Sequence, residues 1–251
     1  MIYKALILFN LLKQDVLNQE IINIKDVKLP NFFKTSDINF QWEFCHQFTE
    51  LYENYILNPQ GKLSYENENV QINKGDIVFD CGANMGLFAA YAATKGAKVY
   101  CFEPCSSTRE LLKQTQSLYP KGQITIIPKA VSNTNSIETF FKTDNIGANR
   151  LWNSLMRDDA QIIEQEQVET IRLDTFIKET GIIPDFIKID IEGSENNLLS
   201  GFNTINIINP KIAIATYHTR NDKFSFREYF SSLNYNIKEY NEIMFLYKED
   251  K

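Results

Sequence analysis

Gly75-Asp76-Ile77-Val78-Phe79-Asp80-Cys81-Gly82-Ala83-Asn84-Met85-Gly86 is the stretch whose reading decides the fold. Ile77, Val78 and Phe79 form a short apolar, β-prone run that ends on an acid and a glycine-punctuated turn. Leu87 to Thr94 follows, rich in alanine and aromatics, with no glycine or proline before Gly96. Strand, turn and helix in that order open a nucleotide-type α/β unit. Gly82 and Gly86 are read as permitting the sharp turn and the close approach of a ligand to the main chain. The next strand, Ala97 to Phe102, runs into Glu103. An acid there, about 20 residues beyond the turn, is placed to accept two ribose hydroxyls.

The spacing of the glycines selects among nucleotides. A dinucleotide site needs G-x-G-x-x-G, because its pyrophosphate rests on a bare helix N-terminus. This chain has Gly82-x-x-x-Gly86 preceded by Asp80. An acid facing the cradle repels a pyrophosphate and favours a cationic ligand. S-adenosylmethionine has a ribose, no phosphate, a sulfonium and an ammonium, so the turn chemistry favours it over NAD.

The 251 residues suffice for one well-buried domain, placed at 70–251, with a mainly helical N-terminal extension over 1–69. The net charge of −6 comes without any basic run, which argues against nucleic acid as substrate. Cys45, Cys81, Cys101 and Cys105 lack C-x-x-C spacing and read as reduced thiols of a cytoplasmic protein. Met1 to Leu12 is apolar but too short to span a bilayer, so no stable membrane insertion is expected. It reads as a helix or strand docked on the domain.

Further along, Phe40 to Leu57 places aromatics and aliphatics at helical spacing, a lid over the site or a cap on the sheet. His46 on it reads as a packing or surface residue. A helix follows Cys105-Ser106-Ser107-Thr108 to Tyr119, then a strand over Gln123 to Val131 and a hairpin-like Ile137 to Lys142. Thr143 to Asp159 is irregular and polar, and Trp152 either pins that loop or serves function. Val168 to Leu173 reads as a strand and Asp174 to Gly181 as a short helix.

The second informative stretch is Pro184 to Glu195 (PDFIKIDIEGSE), a buried strand whose carboxyl end carries Asp190 and Glu192. Ser194 is placed to cap the helix Glu195 to Ser200, and Glu195 either serves the site or complements the helix dipole. Ile212 to Tyr217 is a further central strand that delivers His218. A helix over Phe224 to Leu233 and two antiparallel strands, Tyr235 to Tyr240 and Ile243 to Tyr247, close the chain. In an open parallel sheet ligands bind beyond the carboxyl ends of the strands. Asp80, Glu103, Asp190, Glu192 and His218 all fall at such ends.

The runs Phe79 to Gly86, Phe102-Glu103-Pro104, Lys129-Ala130-Val131-Ser132 and Lys188 to Glu195, with the late Tyr217-His218, resemble the FkbM family of class I S-adenosylmethionine-dependent methyltransferases. The likeness covers roughly Val70 to Tyr247. It implies an α/β, Rossmann-like class I methyltransferase fold: a mostly parallel seven-stranded sheet with helices on both faces. It implies methyl transfer from S-adenosylmethionine, usually to an oxygen, leaving S-adenosylhomocysteine. The cofactor-binding set it implies is Asp80, Gly82, Ala83, Asn84, Gly86, Glu103, Pro104, Lys129, Ala130 and Asp190. In that set the glycine turn lines methionine and ribose, residues near Ala130 face the adenine, and Asp190 flanks sulfonium and acceptor.

A hydroxyl acceptor must lose its proton, and a positioned base helps. The candidate catalytic residues are His218, Asp190 and Glu192, with His218 or Asp190 as base and Glu192 orienting the acceptor. Glu195 is a further candidate. Asp190 and Glu192 are also a pair able to hold a divalent metal, as in catechol-type methyltransferases, but no metal is expected and no metal ligand is assigned. The expected acceptor is a hydroxyl on a sugar, glycan or secondary metabolite, free or peptide-linked, and a homo-oligomer is compatible with the sequence. The rivals are an N-methyltransferase acting on an amino sugar, amino acid or peptide amine, an NAD(P)-dependent oxidoreductase, and a non-catalytic protein of the same fold.

Overall fold

Two short strands, β1 (Ile21–Ile24) and β2 (Val27–Pro30), pair antiparallel at the start of the part of the chain that the computed structural model describes. That part comprises residues 19–51 except 25, 35 and 37, then 65–151, 160–218, and 222–249 except 241. The expectations for Met1 to Leu12, for Trp152 and for the end of the Phe40–Leu57 helix lie outside the described residues. Helix α1 (Ile38–Leu51) follows the hairpin. Ahead of that helix the described residues form a hairpin, because Val27 and Leu29 turn inward on alternate positions as strand residues do.

The central unit then begins with β3 (Ile77–Cys81), α2 (Leu87–Thr94), β4 (Lys98–Phe102), α3 (Ser106–Ser117) and β5 (Ile124–Ile127). Gln123 to Val131 does not form one strand. Pro128 has no N–H for a ladder, and the chain kinks there, the Lys129 N–H donating to the Ile127 carbonyl at 2.8 Å. Beyond the kink, β6 (Ala130–Val131) leaves the main sheet and joins β7 (Ile137–Thr143) and β8 (Ile162–Ile171) in a three-stranded sheet of order β6-β8-β7.

Helix α4 (Leu173–Thr180), strand β9 (Phe186–Ile189), helices α5 (Glu195–Ser200) and α6 (Ile205–Ile208), strand β10 (Lys211–Ala215), helix α7 (Asp222–Ser232), and strands β11 (Asn236–Tyr240) and β12 (Ile243–Tyr247) complete the chain. The seven-stranded sheet has the order β11-β12-β10-β9-β3-β4-β5. The neighbours from β10 to β5 pair in parallel, while β12 runs antiparallel to both β10 and β11. The first and fourth strands of that sheet, β3 and β9, adjoin, so the winding reverses direction between them. A crevice opens at such a switch point.

Strands buried on two faces supply two cores. Val78, Val99, Phe186, Ala213 and Phe245 face one way, and Phe79, Phe102, Ile187, Ile212 and Leu246 the other. On the second face Phe176 of α4, Leu198 of α5, and Phe226 and Phe230 of α7 pack against the sheet. Phe79 meets both Phe102 and Phe176 edge-on, at 5.5 and 5.4 Å between centroids. On the first face lies α2, buried from Leu87 to Ala93. A helix apolar all round must be covered on its outer side as well. Val27 and Leu29 of the hairpin and Phe44 and Phe48 of α1 join that same cluster, so the N-terminal segment shares the sheet's core rather than forming one of its own.

Candidate functional site

A cleft of about 500 Å³ opens beyond the carboxyl ends of β3, β4 and β9. Its floor is the turn after β3, and α1 contributes a wall through Glu43, Gln47 and Leu51. Glu43 is tied to that floor, accepting from the Asn84 side-chain amide at 3.1 Å and from Gln47 at 2.6 Å.

At one end stands Glu103, delivered by β4. Its carboxylate accepts the Asn84 and Cys105 backbone N–H groups, each at 2.9 Å. Asn84 is in the left-handed region, φ 49°, which aims its N–H at this acid. Burial pushes the Glu103 carboxyl up to about 7 even though both N–H groups and Arg109 favour the ionised form. A carboxylate has about four lone-pair sites, and two are used, so acceptor capacity remains toward the cleft that Glu103 lines. Ala83, Asn84, Pro104, Ala130, Val131 and Phe140 line it too, the last two giving an apolar wall for a flat ring.

The turn's glycines have the positive φ that the expected sharp turn needs, and each also answers a close approach by the protein itself. At Gly82, φ 82°, a Cβ would lie 1.9 Å from the Asp190 carbonyl oxygen. The neighbouring turn after β9 therefore requires glycine there, whatever the ligand, although Gly82 also lines the cleft. At Gly86, φ 87°, a Cβ would strike Leu112 of α3 at 2.5 Å, and Gly86 caps α2 without lining the cleft.

Asp80 does not face the cradle either. It is wholly buried, directly opposite Lys188 on β9, with 3.3 Å between carboxylate and ammonium. The Lys188 ammonium also donates to the Gly82 carbonyl at 2.8 Å, stands 3.8 Å from Asp190, and lies 5.3 Å from the centre of the Tyr65 ring. Burial alone would lower the Lys188 pKa, but Asp80 and Asp190 outweigh it and hold the ammonium above its ordinary value. Lys129 pairs with Glu169 at 2.8 Å on the three-stranded sheet and is not among the cleft-lining residues.

The other end carries the remaining acids. Asp190 accepts the Tyr65 hydroxyl at 2.6 Å and the Tyr217 hydroxyl at 3.3 Å. Burial would raise its pKa, yet Lys188, His218 and the two hydroxyls together bring it below the ordinary value. The chain turns sharply after it, with Glu192 at φ 54° and Gly193 at φ 95°. Glu195 closes this turn, accepting the Ile191 and Gly193 N–H groups at 2.9 and 3.0 Å. The Ser194 hydroxyl makes no hydrogen bond, so the side-chain cap expected of it is not made, and Glu195 instead braces the turn ahead of the helix.

His218 follows β10 and stands behind Asp190 and Glu192, its side chain only 2% exposed. Its Nδ1 is 2.8 Å from Glu195, and its Nε2 is 3.3 Å from both Asp190 and Glu192. None of these contacts is aligned as a hydrogen bond to a ring nitrogen. Burial would lower the imidazole pKa, but Glu195 and Glu192 raise it to about 11. Asp190 and Glu192 line the cleft, whereas His218 does not.

The structure therefore brings Asp190, Glu192 and His218 together at one end, and gathers Gly82, Ala83, Asn84, Glu103, Pro104 and Ala130 along the floor and other end. Sequence reasoning missed Lys188, Tyr65, Tyr217 and Glu43. Lys188 carried a signal, a lone charge inside an apolar strand, which implies a buried partner. Tyr65 carried none, since it meets Asp190 across 125 residues of chain.

The doubly wound sheet, the glycine turn with a ribose-competent acid one strand on, and the cationic-ligand chemistry of the cleft define a class I S-adenosylmethionine-dependent methyltransferase. The family model described as Methyltransferase FkbM domain matches residues 80–244, and the chain belongs to that family. Among curated relatives, it is 25% identical over 165 residues to the 31-O-demethyl-FK506 methyltransferase FkbM of Streptomyces tacrolimicus, covering 55% of this chain and 63% of that protein. It is 23% identical over 233 residues to the AMB antimetabolite synthetase AmbE of Pseudomonas aeruginosa, covering 78% of this chain but 10% of that protein. The chain thus spans less than two thirds of either relative.

Solved structures with a loosely similar course include the precorrin-6y C5,15-methyltransferase of Geobacter metallireducens, at 9% identity and TM-score 0.42 over 71% of this chain and 83% of that one. Another is Aeropyrum pernix fibrillarin with natively bound S-adenosyl-L-methionine, at 11% identity and TM-score 0.42 over 70% and 67%. Among the described residues no helix is long and apolar enough to cross a membrane. All four cysteines are buried free thiols.

Proposed function

We propose that this methyltransferase acts on oxygen, methylating a hydroxyl of a sugar, glycan or secondary metabolite. The observation that carries the reading is the placement of Asp190 and Glu192, two cleft-facing carboxylates at the end of the cleft away from Glu103. A hydroxyl acceptor has a proton to lose, and Asp190, steered by Tyr65 and Tyr217, is the group in position to take it. Glu192 orients the acceptor, and His218, screened from the cleft, holds the two acids in place. The relative named for 31-O-demethyl-FK506 supports oxygen in a natural product as the target.

Glu103 would hold the ribose, the wall of Val131 and Phe140 the adenine, and the glycine turn the methionine arm. The donor, once bound, supplies a methyl group on a sulfonium: the acceptor oxygen forms the new C–O bond, the C–S bond breaks, and its electron pair stays on sulfur. What the chain adds is alignment of the two partners and removal of the hydroxyl proton. Nucleic acid is disfavoured as acceptor. The cleft is lined by Glu43, Glu103, Asp144, Asp190 and Glu192 against Lys188, which repels a phosphate backbone. We assign the protein to the cytoplasm on the strength of its reduced thiols, and treat residues 70–251 as the methyltransferase domain with 1–69 as its extension.

The test is incubation with methyl-deuterated S-adenosylmethionine and a panel of hydroxylated glycans and metabolites, with matched amines. A labelled methyl ether on a hydroxyl acceptor is expected. Label confined to the amines would overturn the reading.

A further inference from the structure

We propose that Thr108 is a donor-binding residue, its hydroxyl hydrogen-bonded to the adenosyl part of S-adenosylmethionine. Thr108 lies in the first turn of α3, the helix that begins just beyond Glu103, and it lines the cleft. The residue is 2% exposed, yet its hydroxyl oxygen has no hydrogen-bond partner among the described residues. A buried hydroxyl costs free energy until something completes it.

A threonine in a helix ordinarily turns its hydroxyl back to a carbonyl about one turn earlier. Here the carbonyls at that distance, those of Pro104 and Cys105, already accept from Arg109. Its guanidinium donates to the Pro104 carbonyl and, at 3.2 Å, to that of Glu103, and its N–H donates to the Cys105 carbonyl at 3.0 Å. Thr115, two turns further along the same buried face of α3, shows the contrast. It is equally enclosed, but its hydroxyl donates to the Met85 carbonyl at 2.7 Å and ties the helix to the glycine turn. One threonine serves the fold, and the other keeps an unused hydroxyl in the cleft wall.

The neighbours identify the ligand group. Glu103 stands just ahead of α3, where it is placed for the ribose, and Pro104, Ala130, Val131 and Phe140 give the cleft its apolar lining. A nucleoside seated there carries ring nitrogens and ribose oxygens, and a hydroxyl can both donate to such groups and accept from them. Enclosure strengthens that hydrogen bond, because little water competes for it.

Thr108→Val keeps the branching at Cβ and exchanges the hydroxyl for a methyl. In the empty chain it should leave the melting temperature unchanged or raised, because no bond within the protein is lost. Thr115→Val, which strands the Met85 carbonyl, should lower it. Calorimetry then compares S-adenosylhomocysteine with methylthioadenosine, which has the adenosyl group but no amino-acid arm. Thr108→Val should bind both roughly fivefold or more weakly, and Thr108→Ser, which retains the hydroxyl, should recover most of that affinity. A lowered melting temperature in Thr108→Val would make the hydroxyl structural and overturn the inference. So would unchanged affinity, or a loss confined to S-adenosylhomocysteine. A wild type that binds neither compound would overturn the donor assignment itself and this inference with it.

Discussion

Asp80 and Lys188 oppose each other on the two strands where the sheet reverses its winding, the carboxylate 3.3 Å from the ammonium and both cut off from water. The pair links the two turns that make the site, because Lys188 also holds the Gly82 carbonyl at 2.8 Å. Breaking a buried pair on one side leaves an uncompensated charge, whereas replacing both partners by apolar groups is close to neutral. Lys188→Met should therefore cost about 3–5 kcal/mol, and Asp80→Leu combined with Lys188→Met should recover most of that. Urea unfolding reads both, and equal losses in the single and double variants would refute the coupling.

Gly82 and Gly122 separate close approach from backbone strain. Both have positive φ, 82° and 84°, but a Cβ meets the Asp190 carbonyl at Gly82 and nothing within 4 Å at Gly122. Gly122→Ala should cost about 1–2 kcal/mol, the ordinary penalty of a left-handed alanine. Gly82→Ala must also displace the turn that carries Asp190, so it should cost more than about 3 kcal/mol and abolish S-adenosylhomocysteine binding. Thermal unfolding with calorimetry of the ligand checks both, and similar costs would count against the close-packed turns.

Glu103 gives the donor site its pH dependence. Its carboxyl is raised to about 7 in the folded chain from an ordinary 4.5, so its ionisation opposes folding as pH climbs through that window. Ribose hydroxyls donate to the ionised form, and donor binding therefore strengthens over the same rise. Affinity for S-adenosylhomocysteine should increase roughly tenfold from pH 6 to pH 8 and level off above. Glu103→Gln should bind weakly with a flat profile; an unchanged wild-type slope in that variant would exclude Glu103 as its source.

Tyr65 reaches the acceptor side from the N-terminal part of the chain. Its hydroxyl donates to Asp190 at 2.6 Å, and a hydrogen bond to a charged group contributes about 1.5–3 kcal/mol. Tyr65→Phe keeps the ring against Phe88 and over Lys188. Turnover should fall roughly tenfold or more while S-adenosylhomocysteine affinity stays within about twofold, measured by single-turnover kinetics and calorimetry.

What the sequence disclosed follows the range of the forces involved. β3, its turn and α2 are local: three apolar residues, two glycines and an alanine-rich run specify them without help from elsewhere. The same holds for β9 with Asp190 and Glu192, and for His218 after β10. Pro128 carried a readable warning that Gln123 to Val131 would break. The outer half of β8 carried none, because Ile162 to Gln167 is largely exposed and is held by pairing with β7. Asp80 was read as facing the ligand because no local pattern reveals that its partner lies on a strand more than a hundred residues away. The hairpin at Ile21 to Pro30 offers only a short alternation, which the helical pattern of α1 overshadowed.

The most direct measurement is calorimetric titration of the purified chain with S-adenosylhomocysteine and, separately, with NAD. The account predicts saturable one-to-one uptake of S-adenosylhomocysteine, weakened by Glu103→Gln, and no uptake of NAD. Uptake of NAD with none of S-adenosylhomocysteine would contradict it.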